Sequence, residues 1–95
     1  MKAVRDYLIY HAYRKDLIAM FQFPRISHDI NIMGGKACIK GTRVTVGMII
    51  TQLSEGKDIK MLLDEYPYLT QEDVSAALMY SAWLVNSREM DVASA

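Results

Sequence analysis

The sequence predicts a mainly α fold with a small β-hairpin followed by a bundle of three helices. Two observations carry that prediction. Three cap signals (Thr45, Asp58 and Thr70) each stand directly before a run with helical apolar spacing. Ahead of them, Gly41-Thr42 separates two short runs with apolar residues at Cys38, Ile39 and Val44, the pattern of a tight hairpin. A third observation bounds the answer: in 95 residues, 52% are hydrophobic. That length fits one domain, and that composition provides a core and excludes a disordered chain.

Residues 2–21 contain neither Gly nor Pro and mix Lys, Arg, Ala and Leu with tyrosines, which supports a helix. Their apolar spacing is untidy, and tyrosine and isoleucine equally suit a strand. Pro24 ends the segment. We therefore divide the chain into an extension over 1–24, a domain over 25–87 and a C-terminal tail over 88–95, whose last five residues are expected to fray.

In the hairpin, a two-residue Gly41-Thr42 loop places Ile39 opposite Val44 and Cys38 opposite Thr45, with Gly41 at the first position of a type II′ turn. Ile39 and Val44 then share the core face. Lys40 and Arg43 lie side by side, and like charges directly opposite repel each other. Solvent or a bound anion relieves that repulsion. A solvated basic tip that blunts a sheet edge is the plainer reading of the same residues.

Thr45 caps the first helix, in which Val46, Ile49, Ile50 and Leu53 recur on one face, and Gly56 stops it with a left-handed C-terminal cap. Asp58 caps a short second helix with Ile59, Leu62, Leu63 and Tyr66 inward, and Pro67 ends it. Thr70 opens the third helix, with Asp73 completing a capping box and Leu69 stapling to Val74. Val74, Ala77, Leu78, Ser81, Ala82 and Val85 are the expected core stripe of this helix. Met79, Trp83 and Met90 fall off that stripe, and Met79 with Trp83 forms the expected homodimer surface.

The zero net charge hides an asymmetry. Residues 1–50 carry eight Lys/Arg against three Asp, and residues 51–95 carry three Lys/Arg against eight acids. Such a split provides a basic face for an anion and an acidic face for another protein, or two solvated faces that attract each other within the fold. Positions 34–43 gather three glycines (Gly34, Gly35, Gly41) and three cations (Lys36, Lys40, Arg43). These cations are the candidate anion or DNA contacts, and the glycines are read as shaping the loop.

Several chemistries are excluded or unsupported. No run approaches the roughly 20 apolar residues of a membrane span. A single cysteine, Cys38, cannot form an internal disulfide, so a reducing, cytoplasmic setting is expected. His11 and His28 stand apart from each other and from Cys38, at no metal-ligand spacing, and no catalytic constellation emerges. Neither an enzyme nor a cofactor is expected. Gly34-Gly35-Lys36 lacks the spacing and the following Ser/Thr of a phosphate-binding P-loop; an anion-binding nest of main-chain amides is the lesser possibility there.

A short helix, a tight turn over 67–69 and a longer helix have the outline of a helix-turn-helix. At the start of the longer helix, Gln71 and Ser75 can hydrogen-bond base edges, whereas Glu72 and Asp73 repel phosphates. DNA contact is better served by the basic hairpin acting as a wing.

Ile32-Met33-Gly34-Gly35-Lys36, Ile39-Lys40-Gly41-Thr42-Arg43, the Gly56 stop, Tyr66-Pro67-Tyr68-Leu69 and Val74-Ser75-Ala76-Ala77-Leu78-Met79-Tyr80 appear in order. Together they resemble the bacterial "domain of unknown function 433" family over about residues 25–87. The resemblance implies a small β-hairpin followed by a homeodomain-like helical bundle, usually dimeric. It also implies an antitoxin-like role: such proteins are often encoded beside a PIN-like nuclease toxin and are presumed to neutralise it and bind operator DNA. Ala37 and Thr45 stand where the family usually or often has proline.

The expected function is accordingly an antitoxin-like regulator that acts as a homodimer, binds double-stranded DNA, neutralises a PIN-like toxin, or does both. The alternative is a protein–protein interaction module of the same fold without DNA binding.

Overall fold

The computed structural model describes residues 22–94, so the expected N-terminal helix over 2–21 lies outside the described residues. Two strands, β1 (Ile26–Ser27) and β2 (Cys38–Ile39), pair antiparallel with Ile26 opposite Ile39 and Ser27 opposite Cys38. Three helices follow: α1 (Val46–Ser54), α2 (Ile59–Glu65) and α3 (Gln71–Ser94). The mainly helical fold with a small antiparallel β element is the one the sequence predicts, although β1 lies ahead of the expected hairpin.

β2 is bonded on both edges. On one side lies β1; on the other, Cys38 bridges Thr45, with Ile39 N–H donating to Val44 O at 2.9 Å and Val46 N–H to Ala37 O at 2.9 Å. The Cys38–Thr45 register is the one expected from sequence, and Ile39 and Val44 are both in the core. The turn itself differs. Thr42 N–H donates to Ile39 O at 3.0 Å, so Lys40 and Gly41 are the central residues of a β-turn. Gly41 is the second central residue, with φ of 80°, where a type II turn requires positive φ, rather than the first central residue of a type II′ turn. The Thr42 hydroxyl decides this. Its Oγ1 donates to Ile39 O at 2.8 Å and accepts from Val44 N–H at 3.0 Å, closing the loop one residue later.

The helix ends follow the cap chemistry. Thr45 Oγ1 accepts from Met48 N–H at 3.0 Å, and Asp58 Oδ1 accepts from Met61 N–H at 2.8 Å. At the end of α1, Gly56 N–H donates to Leu53 O and Lys57 N–H to Gln52 O, the paired bonds of a Schellman motif, with Gly56 at φ of 101°. Thr70 and Asp73 form the reciprocal box: Asp73 N–H donates to Thr70 Oγ1 at 3.2 Å, and Thr70 N–H to Asp73 Oδ2 at 3.0 Å.

The core joins all these elements. Ile39, Ile49, Leu62, Val74 and Cys38 are the largest fully buried side chains, and Phe23, Ile26, Val44, Val46, Leu69, Ala77 and Tyr80 surround them. The expected inward residues of α1 and α2 all touch it, with Ile50, Leu53, Ile59, Leu63 and Tyr66 half-buried at its margin.

On α3 the core face is rotated from the expected stripe. Val74 and Ala77 are buried, but Tyr80 takes the next inward position, and Leu78 (43% exposed), Ala82 and Val85 (55% exposed) face out. Tyr80 is drawn in by its neighbours. Its ring stands edge-on to Phe23 at 5.5 Å, and its hydroxyl lies 3.0 Å from His28 Nε2. Trp83 also packs at the core margin, 5.7 Å from Phe23 and 6.0 Å from Tyr80.

Candidate functional site

Two short hairpin-like segments position the candidate cations. The 33–35 segment turns sharply: Met33, Gly34 and Gly35 have φ of 53°, 68° and 86° in succession. Glycine adopts that conformation freely, and Met33 bears the strain of a left-handed backbone. The amides of Gly35 and Lys36 donate to Ile32 O at 3.1 Å and Met33 O at 3.3 Å. Both amides are therefore engaged within the turn itself.

The second segment is the Lys40–Arg43 tip. Lys40 N–H donates to Arg25 O at 2.8 Å, which roots the tip on the chain just before β1. The side chains of Lys40 and Arg43 are exposed, and neither has an ion-pair partner among the described residues. Lys40, Gly41, Thr42, Arg43 and Tyr68 line one open cleft of about 560 Å³.

Tyr68 was not a candidate from sequence, and its position has a local cause. Leu69 N–H donates to Tyr66 O at 2.9 Å, closing a turn with Pro67 at its second and Tyr68 at its third position. That turn drives Tyr66 toward the core and Tyr68 outward, where it is 60% exposed. Tyr66 is held by Gln52 Nε2, which donates to its hydroxyl at 3.1 Å, and Gln52 Oε1 in turn accepts from Lys57 at 3.0 Å. Lys57 also pairs with Glu65. Tyr66 braces Tyr68 edge-to-face, with ring centroids 6.2 Å apart and planes at 79°. The alternation of aromatic, proline and aromatic in a helix–helix turn is the signal by which sequence could have found it.

Arg25 is the second residue that sequence reasoning did not single out. Its Nη1 donates to Asp73 Oδ1 at 3.0 Å, so the acid expected to repel phosphates at the start of α3 is matched by a cation. Glu72 beside it stays exposed.

The other candidate residues are not brought together with the tip. Lys36 lines a separate groove between α1 and the middle of α3, beside His28, Met48, Tyr80 and Val85. Gln71 and Ser75 are exposed, as expected, but share a third cleft with Gln22, Pro24, Arg25 and Met79. Met79 is 64% exposed, whereas Trp83 is half-buried against Phe23 and Tyr80 and is not the outward residue expected from its spacing. Cys38 is buried, and burial raises its thiol pKa above the ordinary value, as suits packing and not nucleophilic chemistry. Among the described residues, no group of His, Cys, Asp and Glu could hold a metal ion, and no helix is long and apolar enough to cross a membrane.

No curated protein matches the chain. One solved structure that does match is the crystal structure of a DUF433 member protein from Anabaena variabilis, at 31% sequence identity and a TM-score of 0.63. That match covers 92% of this chain and 83% of the other. The family described as "protein of unknown function (DUF433)" matches residues 26–81, which span both strands, all of α1 and α2, and the start of α3. On that match, the chain belongs to the DUF433 family.

Proposed function

We propose that the protein is an antitoxin-like regulator that works as a homodimer, holds DNA through its basic tip and offers its acidic half to a PIN-like toxin. The observation that carries the DNA contact is the pair of exposed cations, Lys40 and Arg43, without an ion-pair partner among the described residues, on a tip rooted by main-chain hydrogen bonds and opening on one cleft. Phosphates are the ligand such a pair suits, because each neutralised phosphate releases condensed counterions. Lys36 is a secondary contact, since it lies in a different groove. Gln71 and Ser75 would supply base contacts only if the segment 22–25 beside them leaves room for the duplex. The reading assigns no catalytic role to any residue.

Salt titration of duplex binding tests this reading. Changing both Lys40 and Arg43 to Ala lowers the slope of log K against log salt by about 2 per protomer. No duplex binding at low salt, or an unchanged slope in the variant, removes the duplex-DNA role of this tip. A PIN-like nuclease encoded beside this protein, and co-purification with it, would support the toxin arm; failure of the two to co-purify removes it.

A second reading, a protein-binding module without DNA affinity, is favoured by one observation. Leu78, Met79, Leu84 and Val85 are all exposed on α3, apolar side chains that a protein partner would cover. The same residues would serve the homodimer. Sedimentation of a Leu78→Glu/Val85→Glu variant separates the cases: a shift from dimer to monomer with duplex affinity reduced supports the first reading. Unchanged mass with loss of a protein partner supports the second.

A further inference from the structure

We infer that Tyr68 is a stacking platform and that the cleft it shares with Lys40 and Arg43 takes one nucleotide unit of a single strand, an unpaired base with its phosphate. The inference rests on the proposal that Lys40 and Arg43 hold nucleic-acid phosphates, and it adds a residue and a ligand form to that proposal.

Three observations point the same way. Tyr68 is 60% exposed at the tip of a turn, so its ring is accessible to a ligand. Its contact with Tyr66 is edge-to-face at 79°. An edge-to-face contact occupies one edge or one face of a ring, so at least one face of Tyr68 remains open. The ring is also held: Tyr66 is fixed through Gln52 and Lys57, and Pro67 restricts the turn that carries it.

The cleft joins that open ring to two cations and to Gly41, whose missing side chain leaves the main chain of the tip accessible. A planar apolar surface beside paired positive charge suits a ligand that is planar at one end and anionic at the other. In a duplex both faces of each base are covered by its neighbours, so Tyr68 could reach base edges, sugar and phosphate but could not stack on a base. In a single strand the base face is free, and stacking on an aromatic ring with cations on the backbone is the general means of holding it.

The test measures binding of a short fluorescein-labelled oligothymidine and of a duplex of the same length, over a salt series. It uses the full chain and its Tyr68→Ala, Tyr68→Phe and Lys40→Ala/Arg43→Ala variants, each checked by thermal melting. Tyr68→Ala is expected to weaken single-strand binding by about tenfold with its salt slope unchanged, while Tyr68→Phe stays within about twofold of the parent. The double variant is expected to lower the single-strand salt slope by about 1.4.

Equal binding by Tyr68→Ala and the parent overturns the platform. So does an equal loss in Tyr68→Phe, which would assign the contact to the hydroxyl. If the duplex binds and the single strand does not, the platform falls while the duplex contact of Lys40 and Arg43 stands. If the single strand alone binds, with the expected Tyr68 effect, the platform stands and the operator-DNA reading falls. Absence of binding to both at low salt removes both.

Discussion

Arg25 and Asp73, 48 residues apart, meet through a 3.0 Å charge-assisted hydrogen bond at the first turn of α3, while the other Asp73 oxygen accepts from Thr70 N–H. One carboxylate thus closes the capping box and ties the strand region to the longest helix. The two partners contribute unequally, because Arg25 is half exposed and Asp73 nearly buried. Asp73→Ala is expected to cost about 1–2 kcal/mol, chiefly through the lost cap. Arg25→Ala is expected to cost less than about 1 kcal/mol, since solvent screens an ion pair with one exposed member. Urea denaturation of both variants checks this; a larger loss for Arg25→Ala would show that the ion pair, not the box, holds the start of α3.

Gly41 and Gly56 both sit at positive φ, with nothing within 4 Å of an added Cβ. Alanine at either position is therefore strained by backbone conformation and not by crowding, at about 1–2 kcal/mol each. The two variants should match in stability. Only Gly41→Ala, which displaces Lys40 and Arg43, should weaken nucleic-acid binding. Equal binding losses in both would show that general destabilisation, and not the tip, controls affinity.

Ile49 and Leu62 are fully buried where α1 and α2 join the core. Truncating either to Ala is expected to cost about 2–5 kcal/mol, the range for a large aliphatic residue removed from a packed interior. Met61, on the same helix as Leu62 but exposed, should tolerate Ala within about 0.5 kcal/mol. Denaturation midpoints for the three variants test the assignment of the α2 inward face.

Burial raises the Cys38 pKa, so the folded protein keeps its thiol proton to a higher pH than the unfolded chain does. Below the ordinary thiol range of about 8.5, both states are protonated and this group's contribution is constant. Above it the unfolded state loses its proton first and is favoured, so stability falls as pH rises toward the folded pKa. Relative to Cys38→Ala, the parent should lose stability between neutral and alkaline pH. A constant difference across that range would remove the effect. Thiol-specific reagents should label Cys38 only as fast as the protein opens.

The sequence disclosed what local chemistry decides. Thr45, Asp58, Gly56 and the Thr70–Asp73 box each act within a few residues of themselves, so their patterns sufficed. The Cys38–Thr45 register was legible for the same reason. The pairing of β1 with β2 was not, because two-residue strands carry no periodicity and their partners are set by tertiary contacts. The inward face of α3 is not legible in its spacing, which admits two apolar stripes. Phe23 and His28, distant in sequence, choose Tyr80 over Leu78. Of the candidate site, the cations were visible as a motif, but their company was not. Tyr68 reaches them from a separate helix–helix turn, and Lys36, Gln71 and Ser75 face other clefts.

β2, bonded on both edges, has a kinetic consequence. The residues at either end of the basic tip, Ile39 and Val44, are tied to each other, and Lys40 N–H is tied to Arg25 O. The chain at the tip is therefore ordered before any partner arrives, and little conformational freedom remains to be lost on contact. Substitutions of Lys40 or Arg43 that keep this root should alter how strongly encounter depends on ionic strength, because charge then acts mainly by steering. Substitutions that loosen the tip, such as Thr42→Ala, which removes the hydroxyl's bonds to Ile39 O and Val44 N–H, should instead give an unfavourable entropy of association with the charge unchanged. Calorimetry would separate these two kinds of variant even where their affinities coincide.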